Sequence, residues 1–255
     1  MNSLSREDYT LENHKAIYEY YGRYKPNERT VRVAASLLRL IYNPEVTLDA
    51  ETEKIVTEHA ENGHPIIYAS NHLRMDDQYV LGAAAWAVPA LGKNIKQGVI
   101  IPAKVDYFNG KSRMPLPMSV LEALGMMPVF RERDGEGHPS LFKEATAAYI
   151  DTCAMQLGNG VNMVVSPEGT RNKNDPTRIL NLKHGVAKIA LKACALGVKP
   201  LILPTALSYG RATLKVRGPE VHFGEPIVVT GDETTAHLTG DLQRKLQSAV
   251  DTLTS

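Results

Sequence analysis

The pair with the clearest chemical potential in this chain is an imidazole and a carboxylate five positions apart, His72 and Asp77. A neutral imidazole takes a proton from an alcohol near neutral pH. A carboxylate on its other ring nitrogen fixes the tautomer and stabilises the imidazolium that forms. The spacing does not suit one face of a helix, where neighbours lie three or four apart. It suits a loop that bends back on itself. The chain contains no Gly-x-Ser-x-Gly elbow, so the base is expected to act on a substrate hydroxyl and not on a protein serine. A metal held by His72, Asp76 and Asp77 is disfavoured because that set offers a single histidine. Taken alone, the pair equally describes a polar loop in which His72 hydrogen-bonds Asp77.

The flanking elements place the loop. The apolar run Pro65-Ile66-Ile67-Tyr68-Ala69 leads in and the alanine-rich run from Tyr79 to Ala90 leads out. That pattern predicts strand, loop and helix, with the loop at the carboxyl end of the strand, where sites sit in α/β units. Asp76 or Asp77 is expected to cap the helix, whose dipole favours an ionised carboxylate. Further strands are read at 98–104, ending in Lys104, at 126–130, ending in Arg131, at 161–165, and at 201–208. The third of these runs into Ser166-Pro167-Glu168-Gly169-Thr170-Arg171. There proline ends the ladder and glycine permits a left-handed turn. Shorter strands are read at 213–216 and 221–223. Helices are expected over 28–42, about 50–62, 77–89, 117–124, 139–157, 185–196 and 234–253, while 1–27 show only weak helical period. Strands alternating with helices define an α/β class: a twisted, mostly parallel central sheet with helices on both faces. An N-terminal helical segment, 1–45, precedes the main domain, 46–255. If the strands run parallel, His72, Asp77, Lys104, Arg131, Glu168 and Arg171 share one sheet edge.

Composition limits the alternatives. The 255 residues are 43% hydrophobic and 22% charged with net charge +1, ordinary for a globular protein and without the basic field that nucleic-acid binding needs. Cys153 and Cys194 lack Cys-x-x-Cys spacing and read as reduced, small apolar residues. The polar first 15 residues carry no secretory pattern, and the uncharged stretch 79–92 is shorter than the roughly 20 residues of a membrane span. Between Tyr79 and Arg131, six basic residues face two acidic ones, a local field fit for an anionic ligand or lipid surface. The 28–42 helix is strongly apolar with Arg32, Ser36 and Arg39 on one stripe. It can pack on the core or lie in a membrane interface.

Taken together, these blocks resemble the glycerolipid acyltransferase family, the lysophospholipid type that includes 1-acylglycerol-3-phosphate acyltransferases. Asn71-His72-Leu73-Arg74-Met75-Asp76-Asp77 resembles its His-x4-Asp block. Gly125-Met126-Met127-Pro128-Val129-Phe130-Arg131 resembles the second block, with Lys104 at the lysine that often precedes it. Ser166 to Arg171 resembles the Phe-Pro-Glu-Gly-Thr-Arg block, and Leu203-Pro204-Thr205-Ala206 the short proline block that follows. Arg74 stands where serine is common, and Ser166 where phenylalanine is. The resemblance spans roughly 46–229 and implies acyl transfer from an acyl-thioester, coenzyme A or acyl carrier protein, to a hydroxyl of a lysophospholipid or glycerol phosphate, with 1-acylglycerol-3-phosphate foremost. A glycolipid or other hydroxyl acceptor, or thioester hydrolysis, remains open.

In that scheme His72 is the base and Asp77 its orienter. Arg131 and Arg171, then Lys104, grip the acceptor phosphate, with Glu168, Gly169 and Thr170 completing the substrate loop. Trp86 is expected on the wall of the acyl-chain pocket, and His184 is expected to be structural. No metal or cofactor is implied beyond the thioester substrate. The expected setting is cytoplasmic, soluble or on the membrane surface.

Overall fold

In a computed structural model of the chain, residues 4–23, 25–95, 97–112, 118–210 and 218–254 are described. The short strand read at 213–216 falls outside them. Chain order is α1 (His14–Arg23), α2 (Glu28–Tyr42), β1 (Glu45–Leu48), α3 (Ala50–Glu61), β2 (Ile66–Ser70), α4 (Asp77–Ala87), α5 (Pro89–Ile95), β3 (Val99–Lys104), α6 (Met118–Ala123), β4 (Met126–Val129), α7 (Pro139–Gly158), β5 (Asn162–Val165), α8 (Gly185–Ala195), β6 (Leu201–Ser208), β7 (Glu220–Phe223), β8 (Ile227–Val228) and α9 (Thr235–Thr254). The strands join one sheet in the order β1-β7-β6-β2-β5-β3-β4, with β8 paired to β6. β6, β2, β5, β3 and β4 are mutually parallel, while β7 and β8 run antiparallel to β6. The carboxyl ends of five adjacent strands therefore lie along one edge, as a mostly parallel α/β sheet requires.

β2 is central, and all five of its residues are buried. A strand covered on both faces needs a continuous apolar run, which Ile66 to Ala69 supply. Its register is pinned at the start by the Asn162 carboxamide, which accepts from Ile66 N at 2.8 Å. Gly125 turns the chain into β4 at φ +81°, and a Cβ there would lie 1.8 Å from the Val99 carbonyl oxygen. Only glycine lets the two strands approach so closely.

Two helices escaped the sequence reading. α1 buries His14, Ile17, Tyr18, Tyr21 and Gly22, a face carried by tyrosine rings that polarity-based patterning undercounts. Its tyrosines join the same hydrophobic core as the sheet. Pro89 ends α4, as read, but also opens α5, because a first-turn proline forfeits no helical hydrogen bond. β1 likewise went unread. Its four residues pair with β7 at the sheet's outer edge and are only half covered. α2 starts at Asn27, whose side chain accepts from Arg29 N and Thr30 N, and ends at left-handed Asn43.

Candidate active site

The loop after β2 is held by its own carboxylate. Asp77 Oδ2 accepts from His72 Nδ1 at 2.8 Å, from Leu73 N at 2.7 Å and from Arg74 N at 2.9 Å. Asp76 occupies the N-cap position of α4 without a side-chain capping bond, and Asp77, in the first turn, points its carboxylate back at the loop. Instead of capping the helix, the acid folds the loop around itself. With Nδ1–H donated to Asp77, the neutral ring presents a lone pair at Nε2. The Asp77 side chain is 2% exposed and that of His72 24%. Among the described residues Nε2 has no protein partner. The orienter is sealed, and the base is open.

Three later segments brace this loop. Glu168, 3% exposed, accepts from His72 N at 2.7 Å through one oxygen and from Leu180 N at 2.9 Å through the other. Burial pushes its carboxyl up from the ordinary range, and the two backbone bonds pull it back. Asn172 N donates to the His72 carbonyl at 2.7 Å. Asn71, buried, accepts from Leu207 N at 2.8 Å and donates to Leu207 O at 3.0 Å, which staples the loop to β6. Just past β6, the Tyr209 hydroxyl donates to Asp77 Oδ1 at 2.6 Å. Arg74 lies over the Tyr209 ring, 4.5 Å from its centroid, and pairs with Asp76 at 3.0 Å.

The remaining residues of interest fall along the same edge at increasing distance. Gly169 sits at φ +69° in the turn after Glu168, and Thr170 and Arg171 are exposed beside it. Lys104 is two strands from β2 and Arg131 three, about 10 and 14 Å at the usual strand spacing. Lys104 is engaged: Nζ donates to Ser112 Oγ at 2.7 Å and lies 3.9 Å from Asp106. Arg131 and Arg171 are exposed, and among the described residues neither guanidinium enters an ion pair. His184 bonds Thr239 Oγ1 at 3.0 Å and joins α8 to α9, as a structural histidine should.

An apolar cleft lies between α4, α2 and β3. It is lined by Gln78, Tyr79 and Gly82 of α4, by Val31, Ala35 and Leu38 of α2, and by Val99 and Ile101 of β3. Trp86, one turn past Gly82, is half-buried against the core and does not line it. The residues that sequence reasoning missed are Tyr209, Asn172 and the stapling role of Asn71. Tyr209 was within reach, because it follows a parallel strand just as His72 and Glu168 do.

A base on its orienter thus stands at a parallel-sheet edge that also carries two exposed arginines, Arg131 and Arg171. In keeping with that, residues 52–208 match the Acyltransferase family model, and the chain belongs to the acyltransferase family. Its fold is similar to the crystal structure of the 1-acyl-sn-glycerophosphate (LPA) acyltransferase PlsC from Thermotoga maritima. The TM-score is 0.52 at 17% identity, over 89% of this chain and 80% of that one. No curated protein matches this chain in sequence.

Proposed function

We propose that the protein transfers a fatty acyl group from an acyl-thioester to a hydroxyl of a phosphate-bearing lysolipid, with 1-acylglycerol-3-phosphate foremost among acceptors. The observation that carries this is the His72 ring, tied through Nδ1 to buried Asp77 with Nε2 open. Nε2 takes the acceptor's hydroxyl proton. The alkoxide attacks the thioester carbonyl, the C–S bond breaks, and the leaving thiolate takes the proton back from the imidazolium. No acyl-enzyme is formed, and no metal or cofactor is needed because the thioester is already activated. Such base assistance is worth roughly 10²–10⁴-fold.

The N–H groups of His72, Leu73, Arg74 and Gly169 are all taken by protein acceptors. The oxyanion therefore falls to the exposed Thr170–Arg171 turn or to a guanidinium. Arg131 and Arg171 receive the phosphate, since a planar fork grips it bidentately. Lys104 adds charge from within its own network. The acyl chain enters the cleft along α4. The donor is coenzyme A or acyl carrier protein, and the work is done at the cytoplasmic membrane face as a step of phospholipid synthesis.

Product analysis by mass spectrometry tests this. One acyl-thioester is offered with a panel of lysolipids and with monoacylglycerol, which lacks the phosphate. The expected product is a new ester, strongest with phosphate-bearing acceptors, and His72→Ala should abolish it while leaving the unfolding temperature nearly unchanged. Free fatty acid as the sole product would mean a thioesterase. Equal use of monoacylglycerol would remove the phosphate role of the arginines.

A further inference from the structure

We propose that Tyr209 is a positioning residue for the base: its hydroxyl fixes the carboxylate of Asp77, and through it the ring of His72. The inference rests on the acyl-transfer reading for its consequence in rate, but its geometry stands independently. Asp77 divides its bonds unevenly. Oδ2 receives the imidazole and two backbone N–H groups, all from the His72 loop. Among the described residues, Oδ1 receives only the Tyr209 hydroxyl, at 2.6 Å, in a side chain almost sealed from water. A short bond from O–H to a carboxylate is among the stronger neutral-donor contacts. It comes from the segment just past β6, so it sets the carboxylate plane against an outside reference that the loop cannot provide.

The phenol is itself held. The Arg74 guanidinium covers its ring, Asp76 anchors that guanidinium, and the Tyr42 hydroxyl donates to Asp76 Oδ2 at 3.3 Å. Arg74, the departure from the serine common at this position, thus does structural duty for Tyr209. The charged or titratable groups around His72 are Asp77 in contact, Glu168 across its backbone N–H, and Asp76, Arg74 and Tyr209 behind Asp77. Of these, only Tyr209 donates a side-chain hydrogen bond to Asp77's second oxygen.

Removing the hydroxyl leaves a buried carboxylate oxygen without a donor. Negative charge then concentrates on the imidazole side of Asp77. The imidazolium is favoured and the free base appears only at higher pH. The test is Tyr209→Phe, which keeps the ring beneath Arg74. The Nδ1–H proton resonance of His72 should move downfield, since a more basic acceptor strengthens that bond. The acidic limb of kcat/KM should move to higher pH, and kcat should fall roughly tenfold with KM little changed. Arg74→Met, which frees the ring but keeps the hydroxyl, should show the same signs more weakly. An unmoved resonance in Tyr209→Phe overturns the proposal whether or not the protein proves to be an acyltransferase. A moved resonance with no transfer by the wild type leaves the positioning standing and removes only the acyl-transfer reading.

Discussion

At the residue scale the site depends on carboxylates that accept and do not pair. Asp77 and Glu168 are both buried, and among the described residues neither pairs with a lysine or arginine. Backbone N–H groups, an imidazole and a phenol supply the compensation. That is how a buried carboxylate is held in place with its oxygens satisfied. Glu168→Gln tests the point because it keeps the shape and replaces one acceptor oxygen with a donor. Either His72 N–H or Leu180 N–H must then face an NH2 group. The expected cost is about 1–3 kcal/mol in urea unfolding, with loss of acyl transfer. An unchanged midpoint would mean that the glutamate does not hold the loop. The contact of His72 with Asp77 and the strand-end placement of Glu168, Lys104, Arg131 and Arg171 were legible in the sequence. The bracing roles of Tyr209 and Asn172 went unread: Tyr209 stands at a strand end but in no motif, and Asn172 acts through its backbone N–H, which residue type does not record.

At the element scale α2 is the unusual piece. One stripe, with Val31 and Ala35, faces the cleft. Another carries Val33, Leu37, Leu40 and Ile41 at 59, 54, 79 and 72% exposure, and Met75 of the His72 loop is 52% exposed. No described helix is long and apolar enough to cross a membrane. We propose that this outer stripe, flanked by Arg29, Arg32 and Arg39, lies on an anionic lipid surface. Leu40→Glu with Ile41→Glu should sharply reduce co-sedimentation with anionic vesicles while preserving turnover of a short-chain, water-soluble acceptor. Undiminished sedimentation would discard the docking face. The boundaries of α2 were readable because Asn27 and Asn43 cap it. Those of α1 were not, because its buried face is built from tyrosines.

At the scale of the whole molecule, the sheet's cohesion depends on burial near its centre. His59 closes α3 just before β2. Its ring sits 5.1 Å from that of His64, and its Nε2 lies 3.4 Å from the Pro65 carbonyl. Burial, then repulsion from His64, lowers its pKa from 6.5 to about 4. The depressed value means that the unfolded chain takes up the proton first as pH falls. The stability involved is fully present above about 6.5 and is lost on the way down to about 4. His59→Gln should flatten that part of the stability profile by up to ~1 kcal/mol per pH unit, as measured by denaturant unfolding at stepped pH. Identical slopes for variant and wild type would assign the acid sensitivity elsewhere. The alternation of strand and helix, and hence the parallel sheet, was plain from hydrophobic runs. The strand order was not, since crossovers leave no mark on periodicity.

The braces of the His72 loop have a consequence for synthesis on the ribosome. His72 and Asp77 emerge almost together, but the glutamate that grips the loop follows 96 residues behind its partner, and the tyrosine 132 behind its own. A nascent chain that has released only its first half carries the reactive pair without its supports. Competence therefore arrives late and all at once, when the fifth parallel strand docks, and a prematurely terminated product would be inert.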